Sequence, residues 1–309
     1  MAIANKRLNT MLGQIDCQNS FVWDAHVHLW GAPYHAKEDP DLVLKDEEIS
    51  TRETMRFRDA GGHVFVEFGT YDFGRDWSVL KRISEKTGVH ILAGAGFYRS
   101  AGLEDLLAKH TEEEWVDLLI RECREGEEKT GAKPSFLKWS TSLDEITEAE
   151  KVSGRIVARV HRETGLPVVT HTQRGTMVKE QLAYLRDLGV DPARTLISHI
   201  DMRPELTAED FLEVLVQGSC ISFDQLGKPK YGEEEHKIAL ILELCARGYG
   251  RQILLATDIG RRSNLRELGG GPGLEHIPAK AVPMLRQAGA SEELIHMLVS
   301  ENPANFYGV

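Results

Sequence analysis

The sequence has few of the features that mark secreted, membrane-spanning or disulfide-bonded proteins. It contains four cysteines in 309 residues, none in a CxxC pair, so we expect buried free thiols in a reducing compartment. No apolar run is long enough to cross a membrane, and the polar N-terminus lacks the apolar core of a signal peptide. These absences predict a cytoplasmic protein.

An excess of basic residues is also missing. Lysine and arginine number 37 against 48 aspartates and glutamates, which gives a formal net charge of -11. Such an acidic chain is not expected to bind nucleic acid in general, although a local basic pocket can still take an anionic small molecule. We therefore expect a small-molecule substrate, with no nucleic-acid and no membrane partner, in a chain that is able to form a homodimer.

What the sequence does contain is a regular alternation of apolar strands and amphipathic helices. Its eight strand-then-helix units have predicted strands at 21–29, 63–68, 89–98, 135–139, 167–171, 195–199, 220–224 and 252–258. This order predicts an α/β protein with a single (β/α)8 TIM barrel domain over residues 20–309, after a polar lead-in over residues 1–19. An open doubly wound sheet is the alternative, but no GxGxxG or P-loop motif follows a strand to support it.

The first predicted strand ends in two histidines, His26 and His28. Side chains two residues apart on a strand point to the same face, so both imidazoles project toward one spot. Convergent neutral imidazoles suit a transition-metal site. Taken alone, the pair favours two partly buried histidines with ordinary hydrogen bonds, so the other strand ends decide.

Titratable side chains occur at the ends of other predicted strands too. In a barrel, the C-terminal strand ends share one face, where active sites are built. Six candidate ligands from five strands would meet there: His26, His28, Lys138, His171, His199 and Asp258. Each could be structural by itself, but the six together predict a metal site.

Lys138 differs from the other candidates because a protonated ammonium cannot bind a cation. A lysine that has reacted with carbon dioxide becomes an anionic carbamate, which can bridge two metal ions. The simpler alternatives are a lysine that extends to solvent or pairs with Asp258. The position of Lys138 between Leu137 and Trp139 in a short strand argues against simple exposure of its side chain on the surface.

Six short motifs resemble those of the phosphotriesterase family of the amidohydrolase superfamily, in the right order along nearly the whole chain. They are Asp24-Ala-His-Val-His28, Phe136-Leu-Lys138, Val169-Thr-His171-Thr172, Ile197-Ser-His199, Ala256-Thr-Asp258 and Asn302-Pro-Ala-Asn-Phe306. The resemblance implies a barrel with a binuclear metal centre. By it, His26, His28 and Asp258 hold the buried metal, His171 and His199 hold the outer one, and carboxylated Lys138 with a hydroxide bridges them.

The resemblance also implies a hydrolytic mechanism. Two divalent ions, about 3.5–4 Å apart, would acidify the bridging water and polarise the substrate, and the resulting hydroxide would attack. Asp258 would act as general base and then acid, while Tyr98 matches the position where lactonase members place an aromatic or phenol beside the metals. Zinc fits the histidine-rich set, and manganese, cobalt or iron also fit.

Basic residues follow the last two strands, where barrels often bind phosphate. They favour the family's lactonases of phosphorylated sugar lactones over a phosphotriesterase or an acyl-homoserine-type lactonase with an apolar substrate. A ligand-binding protein without turnover is the alternative from another class, but no metal ligand is missing. The predicted substrate-binding residues are Lys228, Lys230, Tyr231, Arg261, Arg262 and, after the fifth strand, Arg174.

Overall fold

Eight parallel strands form a barrel in the computed structural model, which describes residues 6–99 and 102–309. The strands are β3 (Trp23–Val27), β4 (Val64–Glu67), β5 (His90–Gly96), β6 (Phe136–Thr141), β7 (Val168–Thr172), β8 (Thr195–Ile197), β9 (Cys220–Phe223) and β10 (Ile253–Leu255). Each pairs with its sequence neighbour in parallel register. The eight strands lie within one or a few residues of their predicted positions, so the predicted TIM barrel is confirmed.

A small hairpin in the lead-in covers the N-terminal end of the barrel. Strands β1 (Arg7–Thr10) and β2 (Gly13–Asp16) pair antiparallel, while residues 1–5 lie outside the described residues. Leu8 is fully buried in one cluster with Trp23 of β3 and with Tyr307 near the C-terminus. The sequence predicted only a polar segment here, because two buried apolar side chains, Leu8 and Met11, are too few to give a recognisable hydrophobic periodicity.

Helices separate the strands and cover the barrel. They are α1 (Glu47–Asp59), α2 (Trp77–Thr87), α3 (Leu103–Leu107), α4 (Glu112–Glu125), α5 (Glu148–Thr164), α6 (Val178–Asp187), α7 (Glu209–Leu215), α8 (Glu234–Ala246), α9 (Val282–Gln287), α10 (Glu292–His296) and α11 (Asn302–Tyr307). α3 and α4 are separate helices, because Thr111 starts α4 with a capping box to Glu114. No helix of the described chain is both long and apolar enough to cross a bilayer.

The barrel closes where β10 returns to β3. Just beyond the regular strands, the amide of Asp258 donates to the carbonyl of His26 at 2.8 Å, and the amide of His28 donates to the carbonyl of Ile259 at 2.9 Å. These bonds exclude the open-sheet alternative, since an open sheet would leave β3 and β10 as free edges. They also place the ends of the first and last barrel strands side by side.

Asp24 ties this seam together from inside. Its carboxylate accepts hydrogen bonds from the amides of His26 (3.2 Å) and Thr257 (3.1 Å) and from the Thr257 hydroxyl (2.6 Å). The side chain is fully buried, and burial raises the pKa of Asp24 to about 7. Asp24 therefore links β3 to the end of β10 through hydrogen bonds that are buried away from water.

We expect Asp24→Ala to lower the free energy of unfolding by about 3 kcal/mol, because two buried amides and a hydroxyl lose their acceptor. Asp24→Asn is the matched control, since an amide oxygen can still accept from both backbone amides. Urea denaturation of the two variants and the wild type measures the difference. A loss below about 0.5 kcal/mol for Asp24→Ala, typical of a surface change, would show that Asp24 does not hold the seam.

Candidate metal centre

Four of the predicted ligands are histidines whose rings meet at the C-terminal end of the barrel. Ring centroids lie 5.4 Å apart for His26 and His28, 5.1 Å for His26 and His199, and 4.4 Å for His171 and His199. Asp258 Oδ1 lies 3.3 Å from His26 Nε2 and 3.5 Å from His28 Nε2. The structure thus brings together side chains from β3, β7 and the segments that follow β8 and β10.

The protonation states of His26 and His171 suit a metal ion. Burial lowers the pKa of His26 to about 3 and lowers that of His171 well below its usual value, so both rings are neutral and offer lone pairs. Neither ring nitrogen of His26 has a hydrogen-bond partner within the described residues, although both are buried. Buried nitrogens are normally satisfied, so an additional group is expected to bind here, and the imidazole and carboxylate set fits a divalent metal.

Lys138 lies in the barrel interior beside these histidines. Its side chain is almost fully buried, and its amine lies 4.3 Å from the centroid of Phe68, on whose ring His26 stacks at 3.6 Å. The amine donates to the carbonyl of Thr170 at 3.3 Å. This burial excludes the alternative of a lysine that extends to solvent, and it lowers the pKa of Lys138 to about 7.

Asp224, which follows β9, belongs to the site but was not predicted. Its carboxylate accepts from the amide of His199 at 3.0 Å, lies 2.9 Å from His199 Nδ1 and lies 3.4 Å from His26 Nδ1. Burial opposes its charge, but His199 and His26 hold the pKa of Asp224 well below its usual range. A carboxylate that bonds Nδ1 of His199 leaves the other nitrogen, Nε2, free to bind a metal.

Gln173 plays the corresponding role for His171. Its side-chain oxygen lies 2.9 Å from His171 Nε2, which leaves Nδ1 of that ring as the available nitrogen. The two outer histidines are therefore oriented by neighbours of different charge, an amide for His171 and the carboxylate of Asp224 for His199.

Two of the site residues have a backbone conformation that non-glycine residues rarely adopt. His199 has φ of 64° and Asp258 has φ of 45°. Such conformations cost of the order of 1–3 kcal/mol each and are retained where function requires them. Here they occur where β8 and β10 end, at the residues whose side chains turn toward the other ligands.

Asp258 is held by two residues of the loop after β9. Lys228 Nζ and Gln225 Nε2 each lie 3.0 Å from Asp258 Oδ2, and Lys228 also bonds the Asp258 carbonyl. Burial opposes the charge of Asp258, but Lys228, His199 and His26 hold its pKa well below its usual range. Lys228, predicted to bind substrate, thus contacts the predicted general base and is nearly buried, with 9% of its side chain exposed.

The other predicted substrate residues lie around the mouth in different states. Arg261 bonds Asp39 at 2.7 Å and Asp41 at 3.3 Å, so acidic residues of the loop after β3 already neutralise it. Lys230 lies 5.4 Å from the ring of Tyr231. Arg262 is half-buried in a short 3-10 turn, and Arg174 is exposed, with φ of 56°.

Tyr98 lies at the opposite edge of the site, after β5. Its ring packs edge-on against His171 at 5.0 Å and against Phe73 at 5.8 Å, while Phe73 stacks on His28 at 4.6 Å. Burial raises the pKa of Tyr98, so the phenol stays protonated and can donate a hydrogen bond. The structure therefore places Tyr98 beside the histidines, where the resemblance predicts it.

We expect Asp224→Asn to weaken zinc binding by about 10–100-fold, the usual effect of losing a carboxylate that orients a metal-binding histidine. Asp201→Asn is the control, because Asp201 is also buried but bonds Lys237 and the amide of Gln225 instead of a histidine. Chelator competition measures both affinities. An equal or larger loss in Asp201→Asn would show that the orientation of His199 and His26 is not the cause.

Comparisons with known proteins agree with this arrangement. Human N-acetyltaurine hydrolase is 30% identical over 281 residues, which cover 87% of this chain and 80% of that protein. A lactonase from Listeria monocytogenes has a TM-score of 0.89 at 30% identity, covering 97% of this chain and 98% of that one. The phosphotriesterase homology protein of Escherichia coli is 30% identical over 284 residues, which cover 92% of this chain and 96% of that protein.

The Escherichia coli protein has also been solved with phosphate in its active site, and that structure has a TM-score of 0.87 at 29% identity over 94% of this chain and 99% of that one. A family model described as the phosphotriesterase family matches residues 6–307, which include all six predicted metal ligands. From β3 to the C-terminus, this match, the barrel and the histidine arrangement agree, and the chain belongs to the phosphotriesterase family.

Proposed function

We propose that this protein is a metal-dependent hydrolase that opens the lactone of a small, phosphorylated sugar. The observation that carries the proposal is the convergence of four neutral or carboxylate-paired histidines, Asp258 and a buried Lys138 at one end of the barrel. The family is metal-dependent, and the relatives described above include a lactonase and an amide hydrolase. These relationships support hydrolysis as the reaction class.

The ligand sets of a binuclear centre follow from the nitrogens left available. His26, His28 and Asp258 would hold one divalent ion, and His171 Nδ1 with His199 Nε2 would hold a second. Lys138 as a carbamate would lie between the two ions. When bound, the metals supply Lewis acidity, which lowers the pKa of water and polarises a carbonyl oxygen. Zinc suits the histidines, while manganese, cobalt and iron remain compatible with the donor set.

The chain itself supplies the proton transfers. Asp258 has one carboxylate oxygen, Oδ1, toward His26 and His28, and the other, Oδ2, bonded to Gln225 and Lys228. Its depressed pKa keeps it ionised at neutral pH, so it can accept a proton from the attacking water and return it to the leaving oxygen. On the other side of the site, the protonated phenol of Tyr98 is placed to donate a hydrogen bond to the substrate.

The charge around the mouth favours a substrate with an acidic group over an apolar one. Four cations in the loops after β5, β7, β9 and β10 form no ion pair with a carboxylate among the described residues, on a chain whose overall charge is -11: Arg99, Arg174, Lys230 and Arg262. An acyl-homoserine-type lactone or a phosphotriester would offer these cations no partner. The phosphate bound in the active site of the Escherichia coli relative supports the same preference.

Hydrolysis of a small acylated amine that carries an anionic group is the second candidate. The relatives named N-acetyltaurine hydrolase are 28–30% identical to this chain over most of its length. An amide and a lactone both present a carbonyl to the same metal and carboxylate machinery.

The four free cysteines, with burial raising the pKa of each, fit the reducing cytoplasm that we propose as the location.

The first prediction concerns the carbamate at Lys138. Only a neutral amine reacts with carbon dioxide, and the pKa of about 7 makes Lys138 mostly neutral at pH 8 and mostly protonated at pH 6. With 13C-labelled bicarbonate and zinc omitted, we therefore expect a carbamate NMR signal at pH 8 that falls as the pH drops below 7. Lys138→Met should remove it.

Lys237→Met is the matched control for this experiment. Lys237 is similarly buried, but its amine is already bonded to the carboxylate of Asp201 at 3.1 Å and to the carbonyl of Gln225 at 3.0 Å. The signal should persist in that variant. A signal that survives in Lys138→Met would place the carbamate elsewhere and contradict the bridging role.

The second prediction concerns the substrate. The zinc-loaded protein is assayed against aldonolactones with and without a phosphate, an acyl-homoserine lactone, a phosphotriester and N-acetyltaurine. We expect the highest kcat/KM for a phosphorylated lactone, and Asp258→Asn should lower kcat by about 10²–10⁴-fold, as for loss of a general base. Preferred turnover of N-acetyltaurine would select the second candidate, and turnover of only the apolar substrates would contradict both.

A further inference from the structure

The basic residues after β9 and β10 are largely committed to contacts within the protein. Lys228 bonds the side chain and backbone of Asp258, and Arg261 bonds both Asp39 and Asp41. A cation that already has a carboxylate partner gains little from a second anion, because its charge is neutralised. These two residues therefore fix the loops and Asp258, and offer little net charge to a substrate.

Arg99, which no sequence motif indicated, differs from Lys228 and Arg261 because its charge has no carboxylate partner among the described residues. It follows Tyr98 directly, its Nε lies 3.4 Å from the Tyr98 hydroxyl, and its guanidinium lies 5.6 Å from the ring centroid. Within residues 6–99 and 102–309, no carboxylate pairs with it. Arg99 is therefore an uncompensated positive charge at the edge of the metal site.

Ring contacts place Arg99 beside the histidines. The Tyr98 ring, which lies 5.6 Å from the Arg99 guanidinium, packs edge-on against His171 at 5.0 Å. Burial and, after it, the charge of Arg99 lower the pKa of His35 in the loop after β3. Arg99 therefore lies near both the histidines and that loop.

A cavity of about 520 Å³ opens on this side of the barrel, within the size range of small-molecule sites. The loops after β3, β4 and β5 form it, and the charged residues of its lining are Lys37, Lys45, Asp72, Asp105 and Lys109. The three lysines form no ion pair among the residues that the structure describes. Asp72 is occupied, since both of its carboxylate oxygens accept from the amide of Tyr98, at 2.8 and 3.0 Å.

The cavity therefore has an excess of positive charge on a protein with a net charge of -11, with Asp105 as its one exposed acidic side chain. Its residues reach the metal site through Asp72 and Tyr98. A substrate whose carbonyl lies against the histidines can extend over Tyr98 and place an acidic group beside Arg99, on the side of the mouth where the cavity lies.

We propose that Arg99, together with the lysines of this cavity, binds the acidic group of the substrate, so that the anion lies on the β3–β5 side of the mouth and not against the loops after β9 and β10. The inference deepens the proposed function and rests on it for the position of the reacting carbonyl. Guanidinium suits the task because it offers paired N–H donors to the oxygens of a phosphate.

Binding of glycerol 3-phosphate to the zinc-loaded protein tests this subsite without any reaction. We expect Arg99→Gln to raise the Kd, measured by calorimetry, about tenfold or more, the effect of losing a charge-assisted hydrogen bond. Arg99→Lys should restore part of the affinity, and Lys37→Gln combined with Lys109→Gln should raise the Kd severalfold. Arg121→Gln, an equal charge change on the exposed face of α4, controls for net charge and should not alter it.

The outcomes separate the subsite from the proposed function. An unchanged Kd in Arg99→Gln would overturn the inference. The probe would then bind either the metals alone or the residues Lys230 and Arg262. Loss of affinity in Lys230→Gln or Arg262→Gln would identify the second case. Arg99-dependent binding without hydrolysis of any lactone would keep the subsite and refute the proposed function. Lactone hydrolysis together with glycerol 3-phosphate binding that does not depend on Arg99 would support the proposed function and refute the subsite.

Discussion

The closure of the barrel between β3 and β10 is the constraint on which the site depends. The amide of Asp258 bonds the carbonyl of His26, the amide of His28 bonds the carbonyl of Ile259, and these two contacts fix the first and last strands beside each other. Because His26, His28 and Asp258 all belong to this seam, their side chains meet without help from a flexible loop. The buried carboxylate of Asp24, bonded to both strands, makes the seam a rigid support for a metal ion.

The buried charges form a layered arrangement around that seam. Asp224 holds His199 and approaches His26, Gln225 joins Asp224 to Asp258, and Lys237 with Asp201 lies behind them. Each charge has a partner of opposite sign or a hydrogen-bond donor, which makes its burial affordable. The two ring nitrogens of His26 have no hydrogen-bond partner among the described residues, and it is there that the site can accept a metal.

The fold and the convergence of the candidate ligands were predictable from the sequence because both follow periodic rules. Strand-helix alternation gave the barrel, and polar residues at strand ends gave His26, His171, His199 and Asp258. Asp224 ends a predicted strand as well and could have been found by the same rule. It was missed because a carboxylate that supports a histidine looks, in sequence, like any other aspartate.

The pairing of charges at the mouth could not be read from the sequence. Lys228 meets Asp258 across 30 residues and Arg261 meets Asp39 across 222, so only the folded chain shows that these cations are neutralised. Arg99 was overlooked for the opposite reason. It belongs to no motif, and its importance comes from lacking a carboxylate partner among the described residues.

The central claim, that six side chains hold two metal ions bridged by Lys138, is tested most directly by anomalous diffraction from crystals of the zinc-loaded protein grown with bicarbonate. The account predicts two anomalous peaks, one among His26, His28 and Asp258 and one beside His171 and His199, with extra density on the Lys138 amine between them. A single peak, or two peaks with an unmodified Lys138 turned away from them, would contradict it.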